Sequence, residues 1–156
     1  MHIRLIAVGD RQPSWVDDAF AVYSGRFPRE WKFRLDCIAT ARRGKNDKSK
    51  SAMQAEGEQI LAKIDDDEQL ILLDERGKQL TSPDLANRLS AWQADGRDLC
   101  FLIGGPDGVS AACRERANSI WSLSKLTLPH GLARALFAEQ MYRAWSLQVG
   151  HPYHRE

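Results

Sequence analysis

The chain has 156 residues, 43% hydrophobic and 28% charged, which suits one compact domain with a core and excludes a disordered chain. Lys plus Arg number 22 against 21 Asp plus Glu, a formal net charge of +1, so any charge that binds RNA must be local rather than global. The start, MHIRLIAVGD, lacks the small-residue cleavage site of a signal peptide, no run approaches the ~18 apolar residues of a membrane helix, and Cys37, Cys100 and Cys113 are too scattered for a disulfide framework or a zinc site. The expectation is a cytoplasmic protein with no membrane association and no metal.

In chain order, His2–Val8 reads as a strand ended by Gly9-Asp10. Pro13-Ser14 opens a helix to about Phe27, with Ser14 in the capping position. Trp31–Ala39 alternates Trp31, Phe33, Leu35 and Cys37 with Lys32, Arg34 and Asp36, the period of a half-buried strand. Residues 40–50 form a polar, basic loop, and a helix follows to about Lys63. Gln69–Leu73 is a short apolar strand ended by Asp74-Glu75-Arg76-Gly77. Ser82-Pro83 opens a helix, with proline in its favoured first position, that closes near Gly96. Leu99–Ile103, LCFLI, is an apolar strand followed at once by Gly-Gly-Pro-Asp-Gly. A helix from about Ser110, a strand at Ile120–Leu123 and a last helix from about Pro129 to Val149 complete the pattern. Strands alternate with helices, and the later strands are apolar throughout. That predicts an α/β domain with a mostly parallel sheet and helices on both faces. Two of the cysteines sit in apolar strand-like runs, which predicts buried thiols.

On a helical wheel the last helix is apolar almost all round: Leu136, Phe137, Met141, Tyr142, Trp145 and Val149 share no single stripe, and only Glu139, Arg143 and Ser146 gather on a narrow polar face. A helix of this kind is buried. A small domain covers one side of it, so a second copy of the chain is expected to cover the rest, with a fully central helix in a monomer as the plain alternative. Glu139 and Arg143, four apart, also suit a helix-surface ion pair.

Ligands of open parallel sheets bind at the carboxyl ends of the strands. Three such ends stand out: Leu72-Leu73-Asp74, Ile103 with the Gly104–Gly108 turn, and Leu123 through Pro129. Glycine after a buried strand lets a ligand approach the backbone, and a leucine-rich turn can cover the faces of a purine. The loop lacks GxGxxG, and no GxxxxGK[ST] occurs, which disfavours a dinucleotide or ATP. By itself GGPDG also suits a purely structural turn.

FLIGGPDG, SLSKLTLPHGLARALFAEQMYRAWS and the closing HPYHRE, with IRLIAVG, RGKN at 43–46 and LLDERGK at 72–78, closely resemble the large-subunit ribosomal RNA methyltransferase H family, over essentially the whole chain. The resemblance implies the SPOUT class, an α/β fold with a C-terminal trefoil knot and a homodimer. It also implies S-adenosylmethionine bound in the knot, and methylation of N3 of a pseudouridine in 23S rRNA of the assembled ribosome. Carried over by motif, the cofactor-binding residues would be Leu73, Gly104, Gly105, Leu123, Ser124, Lys125, Leu126, Thr127 and Leu128. KIDDDEQ in the sixties matches no motif and reads as surface.

An imide N3 keeps its proton at neutral pH, so something must remove it or stabilise the forming anion. Arg143, Tyr153, His154 and Arg155 are the catalytic candidates. His154 could act as base, Tyr153 could stack on an exposed base, and Arg155 could hold a phosphate or developing charge. A frayed terminus is the plain alternative. The tail is expected beside the cofactor, and a tail reaching the partner's cofactor is a further hypothesis. His130, at a helix start, reads as a capping or packing residue. Arg42, Arg43 and Lys45, with Lys48 and Lys50 against Asp47, are candidates for phosphate contact, where a solvated loop is the ordinary reading. Two rival functions remain: a non-catalytic ribosome-associated RNA-binding factor, and a small-molecule methyltransferase.

Overall fold

The computed structural model describes residues 1–44 and 49–155. Their elements are β1 (His2–Val8), α1 (Ser14–Ser24), β2 (Lys32–Ile38), α2 (Ser49–Leu61), β3 (Gln69–Gln79), α3 (Ser82–Asp95), β4 (Leu99–Ile103), α4 (Ala111–Arg116), β5 (Ser119–Ser122) and α5 (His130–Val149), then a 3-10 turn at Pro152–Arg155. Among the described residues, five strands form one sheet in the order β2-β1-β4-β3-β5, every pairing parallel. The α/β expectation with a parallel sheet therefore holds.

Alternation along the strands makes two cores. Ile3, Leu5, Ala7, Ile71, Leu73, Leu99, Phe101 and Ile103 point to one face, where they meet side chains of α1, α3 and α5. Ile6, Val8, Leu70, Leu72, Cys100 and Leu102 point to the other, against Ile60 of α2 and Cys113 of α4. β4 is buried along its whole length. Burial on both faces is why its sequence reads as an unbroken apolar run instead of alternating. On the first face α5 lies between α1 and α3.

Helix ends follow local chemistry. Thr81 caps α3 with Asp84 in a reciprocal capping box, Pro83 sits in the first turn, and Gly96 closes the helix in the left-handed conformation. Ser110 caps α4 through its hydroxyl, which accepts from the Cys113 N–H. Gly150 ends α5 with φ 70°.

Several expectations need correction. Ser14 is not the cap of α1. Pro13 occupies that position without a side-chain cap, and the helix stops at Ser24 rather than Phe27 because Gly25 takes the C-cap. β3 does not end at Asp74. Its ladder with β5 breaks after Leu73↔Trp121 and resumes at Lys78↔Trp121, a bulge that carries the strand on to Gln79. Gly77 permits this, because a Cβ there would lie 2.5 Å from the Trp121 backbone. Cys100 and Cys113 are buried, but Cys37 is exposed, since β2 is an edge strand. Burial pushes the Cys100 thiol up to about 12, which makes it inert. The sixties segment is surface except at Glu68. That residue is 8% exposed and pairs with the equally buried Arg4, whose Nε donates to Glu68 Oε1 at 2.9 Å. Ser146, read as part of a polar face, is fully buried and donates to the Arg143 carbonyl at 2.7 Å.

Candidate active site

The bulge of β3, the carboxyl ends of β4 and β5 and the start of α5 surround a cleft of about 440 Å³, a size ordinary for a small-molecule site. Leu72 and Leu73 form one wall. Gly104, Gly105 and Gly108 form a second, and Leu123, Ser124, Leu126, Thr127 and Leu128 a third.

The glycine wall is a tight turn in which the Gly108 N–H donates to the Gly105 carbonyl at 3.0 Å and Gly108 has φ +88°. A Cβ at Gly104 would lie 2.8 Å from the Gly108 backbone, so the turn closes this tightly only around a bare backbone. The structural reading of GGPDG holds, and the turn is also a cleft wall. The third wall is braced internally. Ser122 Oγ donates to the Ser124 carbonyl at 2.7 Å, Ser124 Oγ accepts from the Leu126 N–H at 2.9 Å, and Thr127 Oγ1 donates to Glu75 at 3.2 Å. This turn holds Leu126 76% exposed on the cleft wall, an apolar surface positioned to cover a flat ring. Lys125 is the exception among the carried-over residues. It sits exposed at the tip of the turn and does not line the cleft.

Sequence reasoning placed Asp74 at a ligand-binding strand end but named none of Glu75, Arg76, His130 and Ala133 as lining residues. Asp74 and its neighbours were read as the end of a strand, when the bulge in fact turns them toward the cleft. Burial alone would raise the Asp74 pKa, but hydrogen bonds from the Arg76 side chain and backbone, and from Arg114 Nη2 at 2.6 Å, hold it down at about 2. His130 lies on the cleft wall rather than serving only as packing. Its pKa is lowered, first by burial and then by the nearby Arg134 charge, which leaves the imidazole neutral.

Of the basic-loop candidates, Lys45 falls outside the described residues. Arg42 is exposed. Arg43 turns inward: Nη1 donates to the buried Glu56 at 2.8 Å and Nε to Asp107 of the glycine turn at 2.7 Å. Its pKa is raised, first by Glu56 and then by Asp107. Arg43 thus ties the basic loop and α2 to the glycine turn, an occupation that phosphate contact would have to share.

The tail lies elsewhere. α5 has its first residue on the cleft and is 20 residues long, about 30 Å, and the tail then folds back along it as far as Glu139, midway in the helix. There the Tyr153 hydroxyl donates to Glu139 Oε1 at 2.9 Å, and its ring packs on Tyr142 with centroids 4.8 Å apart. Arg143 shares that Glu139 oxygen at 2.6 Å and lies 5.1 Å from the Tyr153 ring centroid. The Tyr153 phenol is pushed up, first by burial, then by Tyr23 and Glu139, so it stays protonated. His154 Nδ1 is buried without a hydrogen-bond partner among the described residues, and Arg155 is exposed. Arg143, Tyr153, His154 and Arg155 thus gather together, but not beside the cleft of their own chain. That corrects the expected placement of the tail.

An all-parallel α/β domain with a glycine- and leucine-walled cleft across its strand ends is the framework of a small-ligand site. The match to the family described as "Predicted SPOUT methyltransferase" spans residues 1–154. The chain belongs to that family of methyltransferases. It is 49% identical over 156 residues, the whole of both chains, to "Ribosomal RNA large subunit methyltransferase H" of Thioalkalivibrio sulfidiphilus (strain HL-EbGR7).

Proposed function

We propose that the protein transfers a methyl group from S-adenosylmethionine to large-subunit ribosomal RNA, at N3 of a pseudouridine, acting in the cytoplasm on the assembled ribosome as a homodimer. One observation carries the reading: the cleft at the bulge of β3 and the ends of β4 and β5 presents bare glycine backbone on one side and an exposed leucine on another. It lies in a chain that belongs to a methyltransferase family. The RNA substrate is supported by the name of the full-length relative.

Leu73, Gly104, Gly105, Leu123, Ser124, Leu126, Thr127 and Leu128 would hold the donor. When bound, it supplies a methyl carbon on a positively charged sulfur that departs as a neutral thioether and needs no acid. The chain's share is positioning, which can supply much of the barrier reduction. Leu126 covers an apolar ring, and the glycine turn, clamped by Arg43 and Glu56, keeps the cleft from collapsing.

The homodimer is supported by an apolar face that the monomer leaves open. Trp15 and Val22 on α1 are 49% and 51% exposed, and Leu132 on the adjoining α5 is 43% exposed. Isolated exposed apolar residues are ordinary, but a group on two packed helices fits an interface. A dimer also accounts for the separation of cleft and tail, because the tail of one chain then serves the cleft of its partner. In that arrangement Tyr153 offers a neutral ring and hydroxyl, and His154 and Arg155 meet the RNA.

Calorimetry with S-adenosylmethionine and transfer of radiolabelled methyl to ribosomes from cells lacking this protein test the reading. Binding and transfer to ribosomes but not to free metabolites are expected. No binding heat would leave an RNA-binding factor without catalysis, and methylation of metabolites alone would leave a small-molecule enzyme.

A further inference from the structure

A buried carboxylate stands behind the glycine turn. Glu56 on α2 is 1% exposed, and no described residue of α2 lines the first cleft. Its Oε1 accepts from the Ala41 N–H at 2.9 Å and from Arg43 Nη1 at 2.8 Å, and Oε2 accepts from Arg43 Nη2 at 3.4 Å. Arg43 Nη1 also donates to the Ala41 carbonyl at 2.9 Å, while Nε donates to Asp107 at 2.7 Å. Gly105 lines the cleft and sits against this carboxylate, since a Cβ there would lie 3.0 Å from Glu56 Oε2 and 3.1 Å from Val8 Cγ1. The next residue of α2 makes a second close approach. A Cβ on Gly57 would lie 2.8 Å from Ser110 Cβ, and the Gly57 carbonyl accepts from the Cys113 thiol at 3.6 Å. Ser110 is the cap of α4. α2 therefore backs the chain at both ends of the turn, at Gly105 and at Ser110.

The same carboxylate holds the start of the basic loop. Ala41 and Arg43 flank Arg42, whose side chain is exposed. Just before them, Ala39 and Thr40 line a second cleft of about 590 Å³, which opens over the ends of β1 and β2 beside Gly9 and shares Pro106 and His130 with the first. One carboxylate thus fixes both the turn that walls the first cleft and the segment that leads from the second into the loop. A buried charge persists only where it is paired, and here the pairing comes from that loop segment.

We propose that Glu56 is a positioning residue that couples the two substrates. Through Gly105, and through Arg43 and Asp107, it sets the glycine turn for the donor; through Ala41 and Arg43 it sets the segment that presents Arg42 to RNA phosphate. The inference rests on the reading of the protein as an RNA methyltransferase and adds how its two binding regions communicate. Arg43 is the strut of this clamp rather than a phosphate contact, because all three of its guanidinium nitrogens are engaged by two carboxylates and a carbonyl. A donor packed against Gly104 and Gly105 favours the clamped turn. A phosphate held by Arg42 favours the same arrangement of residues 41–43. Each ligand then strengthens the other, because both bias one clamped state, and the factor is the same in either direction.

The test uses full-length Glu56→Gln and Arg43→Lys beside Glu68→Gln, which alters another buried carboxylate, paired with Arg4 at the amino ends of the strands. Stability is read by urea unfolding and S-adenosylmethionine affinity by calorimetry. Both Gln variants should lose stability, but only Glu56→Gln should weaken donor binding, by about tenfold, within the range for residues that act without touching the ligand. Arg43→Lys keeps the charge but not the planar fork that bridges both carboxylates. It should weaken donor binding too, and it carries the test if Glu56→Gln does not fold. Ribosome affinity is then read by sedimentation with and without S-adenosylhomocysteine, the donor lacking its methyl group, so that nothing is turned over. S-adenosylhomocysteine should tighten ribosome binding about fivefold or more in the wild-type protein and much less in Glu56→Gln. Unchanged donor affinity in both Glu56→Gln and Arg43→Lys, or an equal loss in Glu68→Gln, overturns the positioning role. Ribosome binding that ignores S-adenosylhomocysteine in the wild type overturns the coupling. A wild-type protein that binds no S-adenosylmethionine overturns the functional reading itself, and this inference with it.

Discussion

The two ends of α5 differ in what they hold and in how they are held. At its start, the β3 bulge, two strand ends, a glycine turn and a leucine turn enclose a cleft braced by short hydrogen bonds and the Arg43–Glu56–Asp107 clamp. From its far end the tail folds back between α5 and α1, where Tyr153 meets the shared carboxylate Glu139, the Tyr142 ring and the Tyr23 ring of α1. The first end is preorganised for a small ligand, and the second carries exposed or partly exposed groups with no cleft of their own. One chain therefore holds a cleft at the start of α5 and a tail folded back to the middle of that helix, none of whose residues lines the cleft.

Deleting Tyr153–Glu156 should break this comparison most completely. Methyl transfer to ribosomes should vanish while the donor Kd is retained, and full activity after truncation would show that the far end plays no part. Mixing that truncated chain in equal amounts with a Gly104→Val chain, whose glycine turn cannot close, sharpens the point. Random pairing into two-fold dimers makes about half of them mixed, each with one intact site, so about a quarter of wild-type activity should return. No recovery would mean that both halves act within one chain. Changing Trp15 and Leu132 together to Asp should come next. Each buried apolar side chain is worth ~1.5–3 kcal/mol, so the pair should shift sedimentation from dimer to monomer and take methylation with it, sparing donor binding.

A smaller effect separates the two arginines of the basic loop. Arg43→Ala strands the buried Glu56 carboxylate and should destabilise the fold by about 3 kcal/mol, read by urea unfolding, and weaken donor affinity through the loosened glycine turn. Arg42→Glu should leave stability alone and weaken ribosome binding in proportion to the salt dependence of binding. The smallest effect is at Asp74. Its folded pKa, about 2, lies below the ordinary 3.8, so its contribution to stability is complete above the higher value and lost as pH falls through the lower. Asp74→Asn should therefore flatten the acid loss of stability between those two values, as read from urea midpoints.

Much of the cleft was legible in the sequence because it follows from local patterns. Apolar runs mark strands buried on both faces, and a glycine or leucine turn directly after such a run marks a strand end, where ligands bind. Glu75 and Arg76 were illegible because a bulge, set by the approach of Gly77 to Trp121, carries the strand past the point where its apolar pattern stops. His130 was legible as a helix start but not as a shared wall, since its neighbours Gly9 and Pro106 come from distant parts of the chain. Arg43 looked like every other cation in a basic loop. Only folding brings a buried carboxylate from α2 within 2.8 Å of it.

The sequence by itself determined the alternation of strands and helices, the parallel sheet and the two turns that wall the cleft, because periodicity and turn chemistry act over a few neighbouring residues. Only the tertiary structure decided that the tail folds back on the middle of α5 outside the lining of that cleft, that Arg134 lies buried with no carboxylate within ion-pair distance among the described residues, and that a second cleft opens beside the first. Those facts depend on which distant segments meet, and composition and spacing along the chain carry no record of that.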